Sequence, residues 1–442
     1  MKQKLDNYFH ISERGSNIST ELIAGLTTFA TMAYILAYMT SAMSAAPGVN
    51  ITGVLLCTAF VTAVSSFCSG VIANLPIAMA PVLVIPNLVA GLIADGTSYE
   101  VAFGTVLVSG IIFLLISVFK LRDMFTRSLP KNIKIGIGGA VGLLIARIGL
   151  NSCGLITEGM SGFGDLSNPS VQLSLIGLAI ALLLTYIRVD INGRKYKVKG
   201  ALIISIVATT IIGIPMGVVQ VPENIFTTGA ISAMADVSFK VDILGALRPQ
   251  YIPFIIMLLV NDFFGTLGTG LAMANKCGLL DEDGNFPGFG KLFLVDASAT
   301  IFGSLMGIST VSSYAESAAG IESGGRTGLT MVSTAFFFLL CMLFSPLFLM
   351  IPGAATGSAL VIVGISMLET MGGVDFEASE FLPVAVMIFV TVFMNDYVAG
   401  IALGMFVYLI LTVLRHFISK ECDLPEWPAW ALGVLMILYF VF

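Results

Sequence analysis

The stretch Gly307–Gly325 reads GISTVSSYAESAAGIESGG, and its interpretation decides how the rest of the chain is read. It sets Ser312, Ser313, Tyr314 and the acid Glu316 among small residues, with long apolar blocks on either side. Gly307, Gly320, Gly324 and Gly325 bracket a segment too short and too polar for a full membrane crossing. The hydroxyls of Ser309, Thr310, Ser312 and Ser313 stand beside backbone groups that an interrupted helix would leave free. This is the signature of a broken helix, and irregular backbone at membrane depth is tolerated where it is buried in protein or lines a cavity.

The blocks around it establish the membrane. A chain of 442 residues with 57% hydrophobic and 11% charged residues, and a mean hydropathy of +0.98, cannot enclose that much apolar surface in one water-soluble core. With about 18 apolar residues as the spanning length, spans are expected near 19–43, 51–73, 76–94, 100–120, 132–150, 170–188 and 200–219. A second set follows near 251–272, 291–307, 310–322, 327–350, 355–371, 381–396 and 398–417. The expectation is an all-α polytopic protein of about fourteen segments, seven plus seven.

Charge placement gives the orientation, because cytoplasmic loops accumulate Lys and Arg. With a cytoplasmic N-terminus, of the 21 Lys and Arg only Lys240 and Arg248 fall outside, and Arg147 falls within a span. The N-terminal MKQKLDNYFHISERGSN lacks the apolar core of a cleaved secretory signal. A net charge of −6 spread over loops offers no basic surface to nucleic acid. The six cysteines have no CxxC spacing, and with only His10 and His416 to add, no metal cluster is expected.

Two soluble-enzyme signals fail on context. GIGGAVG (136–142) lies inside an apolar span with no strand before it, so close helix packing through small residues is expected. DEDGNFPG (281–288) starts like a calcium loop, but its glycine is at the wrong position and Leu292 stands where a bidentate Glu is required. It is expected to be a solvated turn.

The remaining candidates are ionisable residues inside spans, where a charge costs roughly 2.5–3.5 kcal/mol on insertion scales. They are Glu316, Asp262, Asp296, Arg147 and Asp396. Asp296 and Asp396 lie near expected span ends, where solvation or helix capping would account for them. Arg147 lies near the outer end of its span, where it can snorkel or hold an anion. Asp262 and Glu316 are harder to explain as interhelical glue, a role that an uncharged residue fills. The third segment of the first set, ANLPIAMAPVLVIPNLVAG (73–91), is interrupted by Pro76, Pro81 and Pro86. An interrupted segment in the same ordinal place of each half points to a repeat architecture with its site between the two breaks.

Four motifs, TELIAGLTTFATMAYIL, LGTGLAMANKCGLLDEDG, STVSSYAESAAGIESGGRTGLT and SPLFLMIPGAATGSALVIVG, resemble the adenine, guanine and hypoxanthine permease branch of the nucleobase/cation symporter superfamily. They occur in family order over nearly the whole chain. The resemblance implies two inverted seven-segment repeats (19–219 and 251–417), joined by an extracytoplasmic loop (220–250) and followed by an apolar segment (418–442). Residues 1–18 are then a cytoplasmic N-terminus. It implies a core domain (19–120 with 251–350) and a gate domain (132–219 with 355–417). Short strand-like stretches in the third and tenth segments would flank the substrate.

The resemblance further implies that Glu316 and Asp262 hold a purine base that enters with a proton, with Ser313, Tyr314 and Asn87 in the same site. No cofactor is implied beyond the proton. The expected surroundings are the lipid bilayer of the plasma (inner) membrane, with a homodimer as an open assembly. The residue types suit the task, since a purine edge alternates donors and acceptors that a carboxyl group and backbone amides can match. An apolar surrounding favours the protonated form of an acid, so one group can serve base and proton.

Departures fall at the site. Where relatives continue A-P-G-M-G-L-N-A, this chain has Val84 and Pro86, with Asn87 one place late; where they show D-L-F-D, the second acid is Gly265. Arg147 replaces an apolar position. The alternatives kept open are a carrier of another heterocyclic or anionic solute using Arg147, and a sensor without transport. The C-terminal EWPAWALGVLMILYFVF (426–442) is either a further crossing or an interfacial helix.

Overall fold

In a computed structural model the described residues are 2–44, 46–82, 84–119, 130–157, 162–186, 188–191, 194–198, 201–222, 226, 229–280, 286, 288–344, 350–419, 424, 425, 427, 429, 430, 433 and 434. Most of DEDGNFPG, Cys422 and the last eight residues lie outside that description.

The order of elements begins α1 (Lys2–Phe9), α2 (Ile18–Met32), α3 (Tyr34–Met43), α4 (Ile51–Cys68), β1 (Met79–Pro81), α5 (Val84–Ala94), α6 (Tyr99–Val118), α7 (Lys131–Ser152) and α8 (Pro169–Tyr186). A hairpin of β2 (Arg188–Ile191) and β3 (Arg194–Lys197) follows, then α9 (Ala201–Gly213), α10 (Ala230–Ala235) and α11 (Ile243–Ala246). The second half holds α12 (Ile252–Lys276), α13 (Phe289–Leu305), β4 (Val311–Ser313), α14 (Ser317–Glu322), α15 (Gly328–Leu343), α16 (Gly353–Met367), α17 (Ala378–Met394) and α18 (Tyr397–Leu414).

Among the described residues seven helical stretches are long and apolar enough to cross a membrane. Large apolar side chains such as Leu115, Leu183, Phe336, Phe389 and Phe393 stand exposed on the outside, an arrangement that lipid rewards and water penalises. The protein is a multi-pass membrane protein.

Helix starts follow local chemistry. Asn17, Asn50, Ser98 and Asp396 each place a side-chain oxygen on backbone N–H groups of the first turn that follows. The α4 run widens into a π-turn and ends at Asn74, whose φ of 51° is left-handed. Asn74 then accepts from Gly328 N at 2.9 Å and donates to the Phe9 carbonyl at 3.0 Å, tying the N-terminal segment to two helix ends. In that segment the amide and hydroxyl of Ser12 hold the Asp6 carboxyl below its ordinary range.

Helix α6 packs on α13, α4 and α2 on α15, while α7 packs on α16 and α17, and α8 on α9 and α16. The glycines of GIGGAVG serve the packing of α7 on α16 and α17, as expected. A Cβ on Gly142 would lie 2.8 Å from the Gly364 carbonyl, and one on Gly364 would lie 2.4 Å from the Gly142 carbonyl. The two backbones touch. Residues 229–250 are more structured than a plain loop: Phe239 N donates to Leu305 O at 2.5 Å and Asp242 N to Glu100 O at 2.8 Å.

Strands β1 and β4 pair antiparallel in the register Met79↔Ser313, Ala80↔Ser312 and Pro81↔Val311. The pairing is extended by Val82 N to Thr310 O at 2.9 Å and Tyr314 N to Ala78 O at 2.8 Å. Side chains satisfy what the short ladder leaves: Ser66 Oγ accepts from Met79 N, Ser69 Oγ donates to Ile77 O, and Ser317 Oγ accepts from Ala78 N. This is how a non-helical crossing keeps its backbone paired away from water.

Candidate functional site

The ladder forms one wall of a cavity of about 540 Å³, within the usual range for small-molecule sites. From β4 and the turn after it come Ser312, Ser313, Tyr314, Ala315 and Glu316. Helix α12 supplies Asn261 and Thr269, and Tyr38 and Val82 complete that side. Opposite stand Val141, Leu144, Ile145, Ile148, Asn151 and Ser152 of α7, with Met394, Asn395 and Asp396 from the turn between α17 and α18. The donors and acceptors of β4 and α12 thus share the cavity with an aliphatic face of α7, Val141 to Ile148, which Asn151, Ser152, Asn395 and Asp396 border with polar groups, a mix usual for small-molecule sites.

Glu316 sits at the N-cap of α14 and is 4% exposed, so the polar break holds a buried acid against the cavity. Ser313 and Tyr314 line the same space. Asn87 lies on α5, but its side chain is outside the described residues, as is that of Val84. Pro86 is buried in the first turn of α5, and Gly265 is buried within α12.

Asp262, expected with Glu316 in the substrate site, is fully buried within α12. It does not appear on the cavity wall; its Oδ2 accepts from Thr300 Oγ1 at 2.7 Å, behind β4. Successive helical residues are rotated by about 100°, so α12 turns Asn261 into the cavity and Asp262 away from it. Asp296, expected near a span end, is instead two turns inside α13 and fully buried, because the helix begins at Phe289. Its Oδ2 accepts from Thr266 Oγ1, and that hydroxyl is 2.7 Å from Ser312 Oγ on the cavity wall. Hydroxyls thus connect both buried acids to β4, since Thr300 Oγ1 also accepts from Val311 N at 3.1 Å.

Arg147 neither snorkels nor lines the cavity. It is 8% exposed, and its Nη1 donates to the carbonyls of Val392 and, at 3.2 Å, Phe393. These are C-terminal carbonyls of α17, which lack intrahelical partners. Asp396 does cap a helix, with Oδ1 accepting from Val398 N and Ala399 N, and it also lines the cavity.

Sequence reading missed Glu21. Fully buried, it accepts from Arg326 N at 3.0 Å, Thr327 N at 3.2 Å and the hydroxyls of Thr327 and Thr330. Its carboxyl group takes up N–H and O–H donors at the N-terminus of α15, a place where backbone N–H groups lack intrahelical partners. Its partners lie about 305 residues away in sequence, so no local signal announced them. Asn261, Thr269 and Tyr38 were also missed as cavity residues. The dipeptide Asn261-Asp262 was the available signal, and the acid drew attention from the amide.

The chain was compared with known proteins. The sequence profile of the Permease family matches residues 19–399. The adenine permease AdeQ of Escherichia coli is 32% identical, over 92% of this chain and 90% of its own. The guanine/hypoxanthine permease GhxP of Escherichia coli O157:H7 is 33% identical over 98% and 94%, and PbuG of Bacillus subtilis, of the same description, is 30% identical over 99% and 100%. Among solved structures, the transmembrane domain of the cyanobacterial bicarbonate transporter BicA has a TM-score of 0.52 at 18% identity, covering 87% of this chain and 96% of that domain. At that identity the likeness concerns the fold. With a family match over most of the sequence and relatives that are permeases along their whole length, this chain belongs to the Permease family, among adenine and guanine/hypoxanthine permeases, and it is a membrane transporter rather than an enzyme.

Proposed function

We propose that this chain is a secondary active transporter that carries a purine base, such as hypoxanthine, guanine or adenine, into the cell together with a proton. The observation that carries the reading is Glu316, a buried acid set by the β1–β4 break against a cavity that also has an aliphatic wall from α7. A ring stacks on such a wall while its edge meets the carboxyl group and the Ser313 and Tyr314 hydroxyls. Glu316 is the group we assign to both base and proton. Asp262, with Asp296 beside the same strand, is assigned to proton handling through Thr300, Thr266 and Ser312 rather than to direct contact.

The same reading places fourteen spans in two inverted repeats, with β1–α5 and β4–α14 third in each half. The core (19–120 with 251–350) would move against the gate (132–219 with 355–417), in the plasma (inner) membrane with the N-terminus cytoplasmic. An anionic solute held by Arg147 finds less support, because Arg147 does not line the cavity and its Nη1 donates to the carbonyls of α17. The test is uptake of labelled hypoxanthine, guanine and adenine into proteoliposomes, with and without an inwardly directed proton gradient. Gradient-driven accumulation of at least one base is expected; equal uptake without the gradient would remove symport, and none of any base would remove the purine.

A further inference from the structure

Helix α12 faces the cavity with Asn261 and, eight residues on, Thr269, while Gly265 midway between them on the same face contributes no side chain. Asn261 is 7% exposed, and its Oδ1 has no hydrogen-bond partner among the described residues. A buried amide oxygen left unpaired costs about 1–3 kcal/mol, a cost that a polar ligand would relieve once the amide turns this oxygen to the cavity that Asn261 lines. The Asp262 carboxyl group one residue later is not on the cavity wall, and its Oδ2 accepts from Thr300 Oγ1. The polar group that this helix offers to a substrate is therefore neutral.

We propose that Asn261 is a specificity-determining residue that reads a donor–acceptor edge of the substrate ring; this rests on the purine reading above. A carboxylate offers acceptors only, and so matches an edge with two adjacent donors, such as the ring N–H and 2-amino group of guanine. An amide offers one acceptor and one donor side by side. It matches the ring N–H and carbonyl of hypoxanthine and, with its two ends exchanged, the amino group and ring nitrogen of adenine. Glu316 and Asn261 thus divide the work, the acid taking donors and the amide admitting bases that lack a second one.

The experiment titrates purified full-length protein in detergent with hypoxanthine, guanine and adenine, using the wild type, Asn261→Leu and the near-isosteric Asn261→Asp. For the bases that the wild type binds, Asn261→Leu is expected to weaken affinity about tenfold or more. Asn261→Asp is expected to shift preference about tenfold toward guanine over hypoxanthine and adenine. Ligand-free melting of each variant guards against misfolding, and the aspartate variant keeps the test open should leucine not fold. Wild-type binding with affinities unchanged in both variants overturns the role of Asn261 and leaves the purine reading standing. No binding of any of the three bases to wild type overturns both.

Discussion

Thr300 and Asp262 are joined by a 2.7 Å hydrogen bond, and the same threonine hydroxyl accepts the amide of Val311 on β4. One side chain therefore fixes a buried acid and the strand that faces the cavity. Thr300→Val keeps the shape and removes the hydroxyl, leaving two buried polar groups unpaired. A loss of about 1–3 kcal/mol is expected, seen as a lower melting temperature together with weaker base binding, and Thr300→Ser should restore both. Unchanged binding in a valine variant that melts lower would confine Thr300 to a structural role.

Glu316→Gln retains the size of the side chain and one acceptor oxygen, puts a fixed donor in place of the other, and removes the titratable proton. Expression and melting temperature are expected to stay near wild type, while proton-driven accumulation of base falls to background. Counterflow exchange of base across vesicles without a gradient separates the two duties of this residue. Exchange that persists assigns Glu316 to the proton, whereas exchange that is lost assigns it to the base as well. Wild-type accumulation in this variant would remove Glu316 from the mechanism.

Arg147 holds the end of α17 by its carbonyls. Arg147→Met should destabilise the protein by about 1–3 kcal/mol, whereas Arg147→Lys, whose ammonium can still reach carbonyl oxygens, should lose less. Base affinity per folded molecule is expected to be the same in all three. A selective loss of affinity in the lysine variant, with melting unchanged, would return Arg147 to the substrate.

Gly364→Ala places a methyl group 2.4 Å from the Gly142 carbonyl and 2.5 Å from Ala146 N. The contact is backbone, which cannot yield as a side chain tip does. Overpacking of about 1–3 kcal/mol or more is expected, measured as reduced melting temperature or recovery from the membrane. Gly91→Ala, with nothing within 4 Å of its added Cβ, is the matched control.

The membrane class, the two broken segments and the packing role of GIGGAVG were legible in the sequence, because each rests on composition or on glycine and proline within apolar runs. Pro76, Pro81, Gly307 and Gly320 mark the interruptions without any knowledge of the partner strand. What could not be read was rotation. Asn261 and Asp262 are neighbours in sequence, and only the phase of α12 about its axis decides which one meets the cavity. The span of Asp296 was legible to within two residues, 291–307 against Phe289–Leu305, but its burial came from the packing of α13, which the sequence does not show. Glu21 looked like the start of an ordinary span because its partners, Arg326, Thr327 and Thr330, belong to the other half of the chain. Capping at Asp396 was legible, since it needs only the residues that follow it.

The pairing of β1 with β4 also governs how the protein is made. Ala78 finds Ser317 across 239 residues of sequence, so during synthesis the first strand enters the bilayer long before its partner leaves the ribosome. Until then the amides and carbonyls of Met79 and its neighbours have to be shielded by Ser66, Ser69, water or the insertion machinery. A chain stalled after its first half would lack β4, the partner that pairs this backbone in the folded protein, and the cavity built on the ladder would be complete only once the turn between α17 and α18 had followed.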